Sequence, residues 1–122
     1  MAYNVVFPDQ IVKAGDLSGN LQSPAFYIQN QDNIGFQLNW TGVPVGTFAV
    51  QTSADYKEDS QGNILNTGHW IDIPLTMVIT AFGGPDQAVI YLYQLSTPWI
   101  RVTYSSTSGT GLFDLYATSK GV

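Results

Sequence analysis

The strongest constraint in this chain is a hydrophobic period of two. Residues 33–40 read Asn-Ile-Gly-Phe-Gln-Leu-Asn-Trp, so Ile34, Phe36, Leu38 and Trp40 alternate with polar or small residues. That spacing puts every second side chain on one face, which describes a half-buried strand and not a helix. The same alternation returns at Phe48 and Val50, at Ile100, Val102 and Tyr104, and at Phe113, Leu115 and Ala117. Residues 75–79 and 88–93 are apolar on both faces, so each is either covered twice or has one face buried in a partner. Between these runs lie Gly, Asn and Pro clusters such as Thr41-Gly42-Val43-Pro44-Val45-Gly46, Phe82-Gly83-Gly84-Pro85-Asp86 and residues 105–111, which supply turn geometry. Strands are expected over 3–7, 10–14, 24–30, 33–40, 46–53, 69–73, 75–80, 87–94, 98–105 and 111–118. Many short strands and no i, i+3, i+4 pattern in 122 residues imply an all-β, single-domain, two-sheet antiparallel β-sandwich, with jelly-roll wiring as a variant. Residues 1–21 are sparse in core pattern and form a candidate extended arm that adds a strand to, or lies across, a neighbouring subunit. Residues 54–68 are the longest polar gap and read as an exposed loop on a sheet edge, with Gly62-Asn63 as a candidate tight turn.

Composition narrows the functional classes. Only 11 % of residues are charged, and 4 Lys plus Arg against 9 Asp plus Glu give a net charge of −5, which disfavours nucleic-acid binding. The absence of cysteine excludes disulfides, thiolate nucleophiles and Cys-ligated zinc. No apolar run reaches membrane-spanning length. The first residues carry no basic cluster and no signal-like apolar run, leaving carriage on a virus particle, an unconventional secretion route or cytosolic residence.

Reactive constellations are thin. His69 is the single histidine, with no nucleophile elbow to partner it, and reads as a polar residue at a strand end. Most carboxylates sit in turns; Asp72 and Asp114 fall on the polar side of strands, so no facing catalytic pair is expected. Asp55, Glu58, Asp59 and Asn63 offer hard oxygens to a calcium ion, but their spacing lacks the bidentate Glu of a twelve-residue loop, and a solvated loop is the plainer reading. Gly83-Gly84 lacks the Lys and helix of a phosphate loop. No catalytic, cofactor or metal residue is assigned.

The aromatic residues carry more information: 7 Tyr, 6 Phe and 3 Trp. Phe36, Trp40, Phe48 and Phe113 fall on the core side of their strands. Tyr91, Tyr93, Trp99, Arg101 and Tyr116 fall on the opposite side of three consecutive strands, which would gather them on one outer face. Aromatic residues with Arg are the side chains of protein interfaces, and the same set stacks on sugar rings. The alternatives are that this face belongs to a second core or is covered by the N-terminal segment. Asp72 and Asp114 are the candidate partners of Arg101.

Ile34-Gly35-Phe36-Gln37-Leu38-Asn39-Trp40-Thr41-Gly42, Pro44-Val45-Gly46-Thr47-Phe48-Ala49-Val50-Gln51, Trp70-Ile71-Asp72-Ile73, Trp99-Ile100-Arg101-Val102-Thr103-Tyr104-Ser105 and Ser108-Gly109-Thr110-Gly111 together resemble small all-β virion structural proteins of tailed bacteriophages. The resemblance spans about residues 33–118. It implies a non-enzymatic capsid decoration or cement protein, or a tail or fibre accessory piece, located in the virion. Its partners would be capsid or other virion proteins and further copies of itself, a trimer being one mode. A carbohydrate-binding β-sandwich that takes a glycan is the alternative.

Overall fold

The alternating runs form two facing antiparallel sheets in the structure, a computed structural model that describes residues 5–27, 33–75, 78–92 and 99–120. In chain order the strands are β1 (Val5–Asp16), β2 (Leu21–Gln22), β3 (Phe26–Tyr27), β4 (Asn33–Gly42), β5 (Val45–Ser53), β6 (Lys57–Glu58), β7 (Ile64–Asn66), β8 (Ile71–Asp72), β9 (Ile79–Phe82), β10 (Asp86–Leu92), β11 (Trp99–Ser108) and β12 (Gly111–Lys120). The first sheet has the order β1-β12-β4-β10. The second has β2-β11-β5-β8, with β3 also on β11 and β9 also on β5. The arrangement is a β-sandwich, and β6 and β7 form a separate small hairpin.

The core follows the alternation residue by residue. Ile34, Phe36, Leu38 and Trp40 of β4 are buried with Ile90 and Leu92 of β10 and with Phe113, Leu115 and Ala117 of β12. They face Phe48 and Val50 of β5 and Ile100, Val102 and Tyr104 of β11. Phe48 sits at the centre of an aromatic knot, with ring centroids 5.0 Å from Trp40, 4.7 Å from Tyr104 and 4.9 Å from Phe113. Tilted pairs at this separation add about 0.5–1.5 kcal/mol each beyond the area they bury.

Four chain crossings between the sheets meet at one end of the sandwich, and this is where the glycine-rich motifs lie. Leu17 N–H donates to Gly111 O (2.9 Å), Val43 N–H to Thr110 O (2.8 Å) and Gly83 N–H to Pro44 O (2.8 Å). Gly42 and Gly109 have φ of 86° and 81°, and a Cβ on Gly109 would stand 2.1 Å from Val43 O. The Trp-x-Gly and Ser-Gly-Thr-Gly elements thus pack against each other as a corner. Their spacing reports how the chain changes sheets.

Several expectations are corrected. Residues Val5–Asp16 do not project as an arm; they form β1, antiparallel to β12 of the same chain, with Leu17 fully buried behind it. The gap at 54–68 is not a plain loop on an edge, because it contains the β6–β7 hairpin and the buried Tyr56. The expected strand 69–73 shrinks to β8, and that over 75–80 shifts to β9.

Candidate functional site

The anticipated aromatic face is divided by the topology. Tyr91 lies on β10 and Tyr116 on β12, both in the first sheet, whereas Trp99 and Arg101 lie on β11 in the second. The two pairs therefore point away from the sandwich on opposite sides, and the expectation of one shared face fails. Tyr93 lies outside the described residues.

On the second sheet Trp99 and Arg101 are already met by the chain itself. Tyr56 is buried and sets its ring edge-on to Trp99, with centroids 4.7 Å apart, and Trp70 also packs on Tyr56 at 5.4 Å. The Arg101 guanidinium stacks 4.2 Å from the centroid of the Trp70 ring. Arg101 Nε–H donates to Gln51 Oε1 (2.8 Å), and Gln51 Nε2 donates onward to Asp72 Oδ1 (2.9 Å). Asp72 is thus reached through a glutamine, and among the described residues no carboxylate meets Arg101 directly. Asp114 instead accepts from Ala14 N–H (2.9 Å) and Gln10 Nε2 (3.3 Å) on the first sheet.

The acidic residues of the 54–69 excursion hold it in place. Asp55 Oδ1 accepts from the Ser53 hydroxyl (2.9 Å) and from His69 N–H (2.8 Å), while Oδ2 lies 2.6 Å from His69 Nδ1. Asp55 therefore clasps both ends of the excursion. The His69 ring, its backbone N–H and the Ser53 hydroxyl hold the Asp55 carboxyl well below its usual range, and Asp55 in turn raises the pKa of His69. Asp59 shapes the hairpin tip by accepting from Gln61 N–H and from Asn63 N–H and Nδ2. Glu58 accepts the Tyr56 hydroxyl, and burial together with that bond pushes the Tyr56 pKa up to about 12. Each of these carboxylates has a structural partner, and no cluster of three or more metal-ligating side chains occurs among the described residues.

The first sheet presents a different surface. Register places Gly35 between Tyr91 and Thr118, and Gln37 between Val89 and Tyr116. Without a side chain at Gly35 the sheet opens into a groove of about 460 Å³ lined by Gly35, Gln37, Asn39, Val89, Tyr91 and Tyr116, among others. A Cβ on Gly35 would lie 3.4 Å from the Tyr91 ring and 3.3 Å from Thr118 Oγ1, so the bare backbone is what lets the ring lean over it. Tyr91 remains 65 % exposed and Val89 53 %. Gln37 Nε2 donates to Asn39 Oδ1 (3.3 Å), which aligns the two carboxamides along the floor. Among the described residues no charged side chain lines the groove.

Gly35, Gln37, Asn39, Val89 and Thr118 were not among the residues expected at a site. The signal was present: they are the outward positions of the same alternation that identified the core. Chemically the groove offers two phenol rings, two amides and an aliphatic contact, a set suited to binding neutral groups. No protein-family model matches the chain, and no curated protein sequence matches it.

Proposed function

We propose that this chain is a non-enzymatic structural protein of a tailed-bacteriophage particle, a decoration or cement protein that docks onto the head through the outer face of its first sheet. One observation carries the reading. Val89 and Tyr91 stand exposed and, with the half-buried Tyr116, line an uncharged apolar-aromatic groove, while Trp99 and Arg101 of the second sheet are met by Tyr56 and Trp70. Large exposed aromatic residues beside aliphatic ones are the anchors of protein contacts. The family resemblance of residues 33–118 supplies the particle as destination.

The test is binding to isolated phage heads stripped of accessory proteins. Wild type should bind in many copies and stay bound at high ionic strength, because few ion pairs are available to screen. A Tyr91→Ala/Tyr116→Ala double variant should keep its β-type circular dichroism and lose binding. Release by salt, or full binding by the double variant, would overturn the proposal.

The groove favours a second reading, a glycan-binding face. Its paired carboxamides and tyrosines match a neutral hydroxylated ring better than a charged ligand. Titration with maltotriose, followed by NMR at Gly35, Gln37 and Tyr91, separates the two: shifts confined to these residues support the glycan, and their absence leaves the protein partner.

A further inference from the structure

A β-sandwich must manage its strand edges, since a long, regular, apolar edge templates pairing with another chain. Three of the four edges here are guarded. In the second sheet, among the described residues, β2, β3 and β8 span two residues each and β9 spans four, too short to template a strand. In the first sheet β1 is broken by three register shifts, carries Pro8 and the exposed Lys13, and turns through Ala14 at φ 51°. Pro8 has no N–H to donate, and bulges twist an edge away from a partner.

The fourth edge, β10, has none of these devices. It pairs with β4 over seven consecutive residues without a register shift, and its sequence, Asp-Gln-Ala-Val-Ile-Tyr-Leu, contains no Lys, Arg or Pro. Among the described residues no strand pairs with its other side. Its outward residues Val89 and Tyr91 are the exposed apolar members of the groove face.

We infer that β10 pairs with β10 of a second copy of this chain, antiparallel about a two-fold axis at Val89, to make one continuous eight-stranded sheet. The charge pattern argues for the same chain as occupant. Full overlap sets Val89 against Val89, Ala88 against Ile90, Gln87 against Tyr91 and Asp86 against Leu92. This keeps outward residues with outward and inward with inward, as sheet pairing demands. Asp86 is the strand's single charge, so no like charges meet, and the isologous contact closes after two copies. The pairing also joins the two groove faces side by side, and it stands whether or not a phage head is the destination.

The experiment is sedimentation equilibrium of the full chain and of Val89→Lys and Val89→Glu. Val89 is exposed, so both variants should fold, which circular dichroism checks. Wild type should run as a dimer, and each variant as a monomer, because like charges would face each other across the axis. An equimolar mixture of the two variants should recover the dimer, since Lys then faces Glu. A monomeric wild type across about 1 μM to about 1 mM, a trimer, a variant that stays dimeric, or a mixture that stays monomeric would each overturn the inference.

Discussion

The two outer faces of this sandwich carry similar side chains and have opposite fates. Trp99 and Arg101 on the second sheet are met by Tyr56 and Trp70 from the chain's own excursion, forming a satellite core outside the main one. Tyr91 on the first sheet stays exposed and, with the half-buried Tyr116, flanks an open groove. Aromatic content by itself therefore does not mark an interface. What marks it is the absence of an internal partner, and that depends on where a polar loop folds.

The largest effect expected from this contrast is on stability. Tyr56→Ala removes a buried ring that packs on both Trp99 and Trp70 and should cost about 3 kcal/mol, read by denaturant unfolding. Tyr91→Ala on the other face should stay within about 0.5 kcal/mol of wild type, as substitutions of exposed residues usually do. Equal losses at the two positions would erase the distinction between covered and open faces.

An intermediate effect is expected at Arg101. Arg101→Met keeps the aliphatic stem but gives up the stacking on Trp70 and the Nε–H bond to Gln51. Together these are worth about 1–2 kcal/mol for a partly buried cation. Arg101→Lys should recover only part of it, because an ammonium lacks the planar group that stacks and the Nε donor. A Lys variant as stable as wild type would show that charge, and not shape, holds the excursion down.

The contrast also explains what could be read from the sequence. Alternation assigns each residue to the inside or outside of its own strand, and it did so correctly for Ile34 through Trp40 and for Phe113 through Ala117. It carries no information on which sheet a strand joins. Tyr91 and Trp99 were both outward, and nothing local reveals that β10 ends in one layer and β11 begins in the other. The excursion was opaque for a related reason: its contacts are non-local. Asp55 and His69 are fourteen residues apart and Tyr56 meets Trp99 across forty-three, so a window of ten residues sees only polar character. The N-terminal strand was expected in two pieces, 3–7 and 10–14, and assigned to a neighbour; its bulges interrupt the period of two, and nothing local shows that it pairs with β12 of the same chain.

The smallest effect concerns how the cover is clasped, and its sign follows from two opposite shifts. Asp55 is depressed below the ordinary 3.8 chiefly by the His69 ring, so its contribution is present above that value and lost as pH falls toward its folded pKa. His69 is raised above the ordinary 6.5 by the bond to Asp55, so its contribution is complete below 6.5 and fades as pH rises through its folded pKa. The clasp therefore acts in a window from about pH 4 to somewhat above the normal histidine range. Both side chains are exposed, His69 by 93 % and Asp55 by 44 %, so salt and water screen the pair and the gain is slight. Melting temperature against pH should show a shallow fall from pH 6 to 8 in wild type, flattened in His69→Ala and smaller at high salt. Asp55→Asn should lower the whole curve, because it also weakens the acceptor for the Ser53 hydroxyl and His69 N–H that ties the ends of the excursion together. Tyr91 on the open face should report none of this in its NMR shifts. A pH-dependent change there would mean that the covered and open faces are coupled through the core and do not behave as separate surfaces.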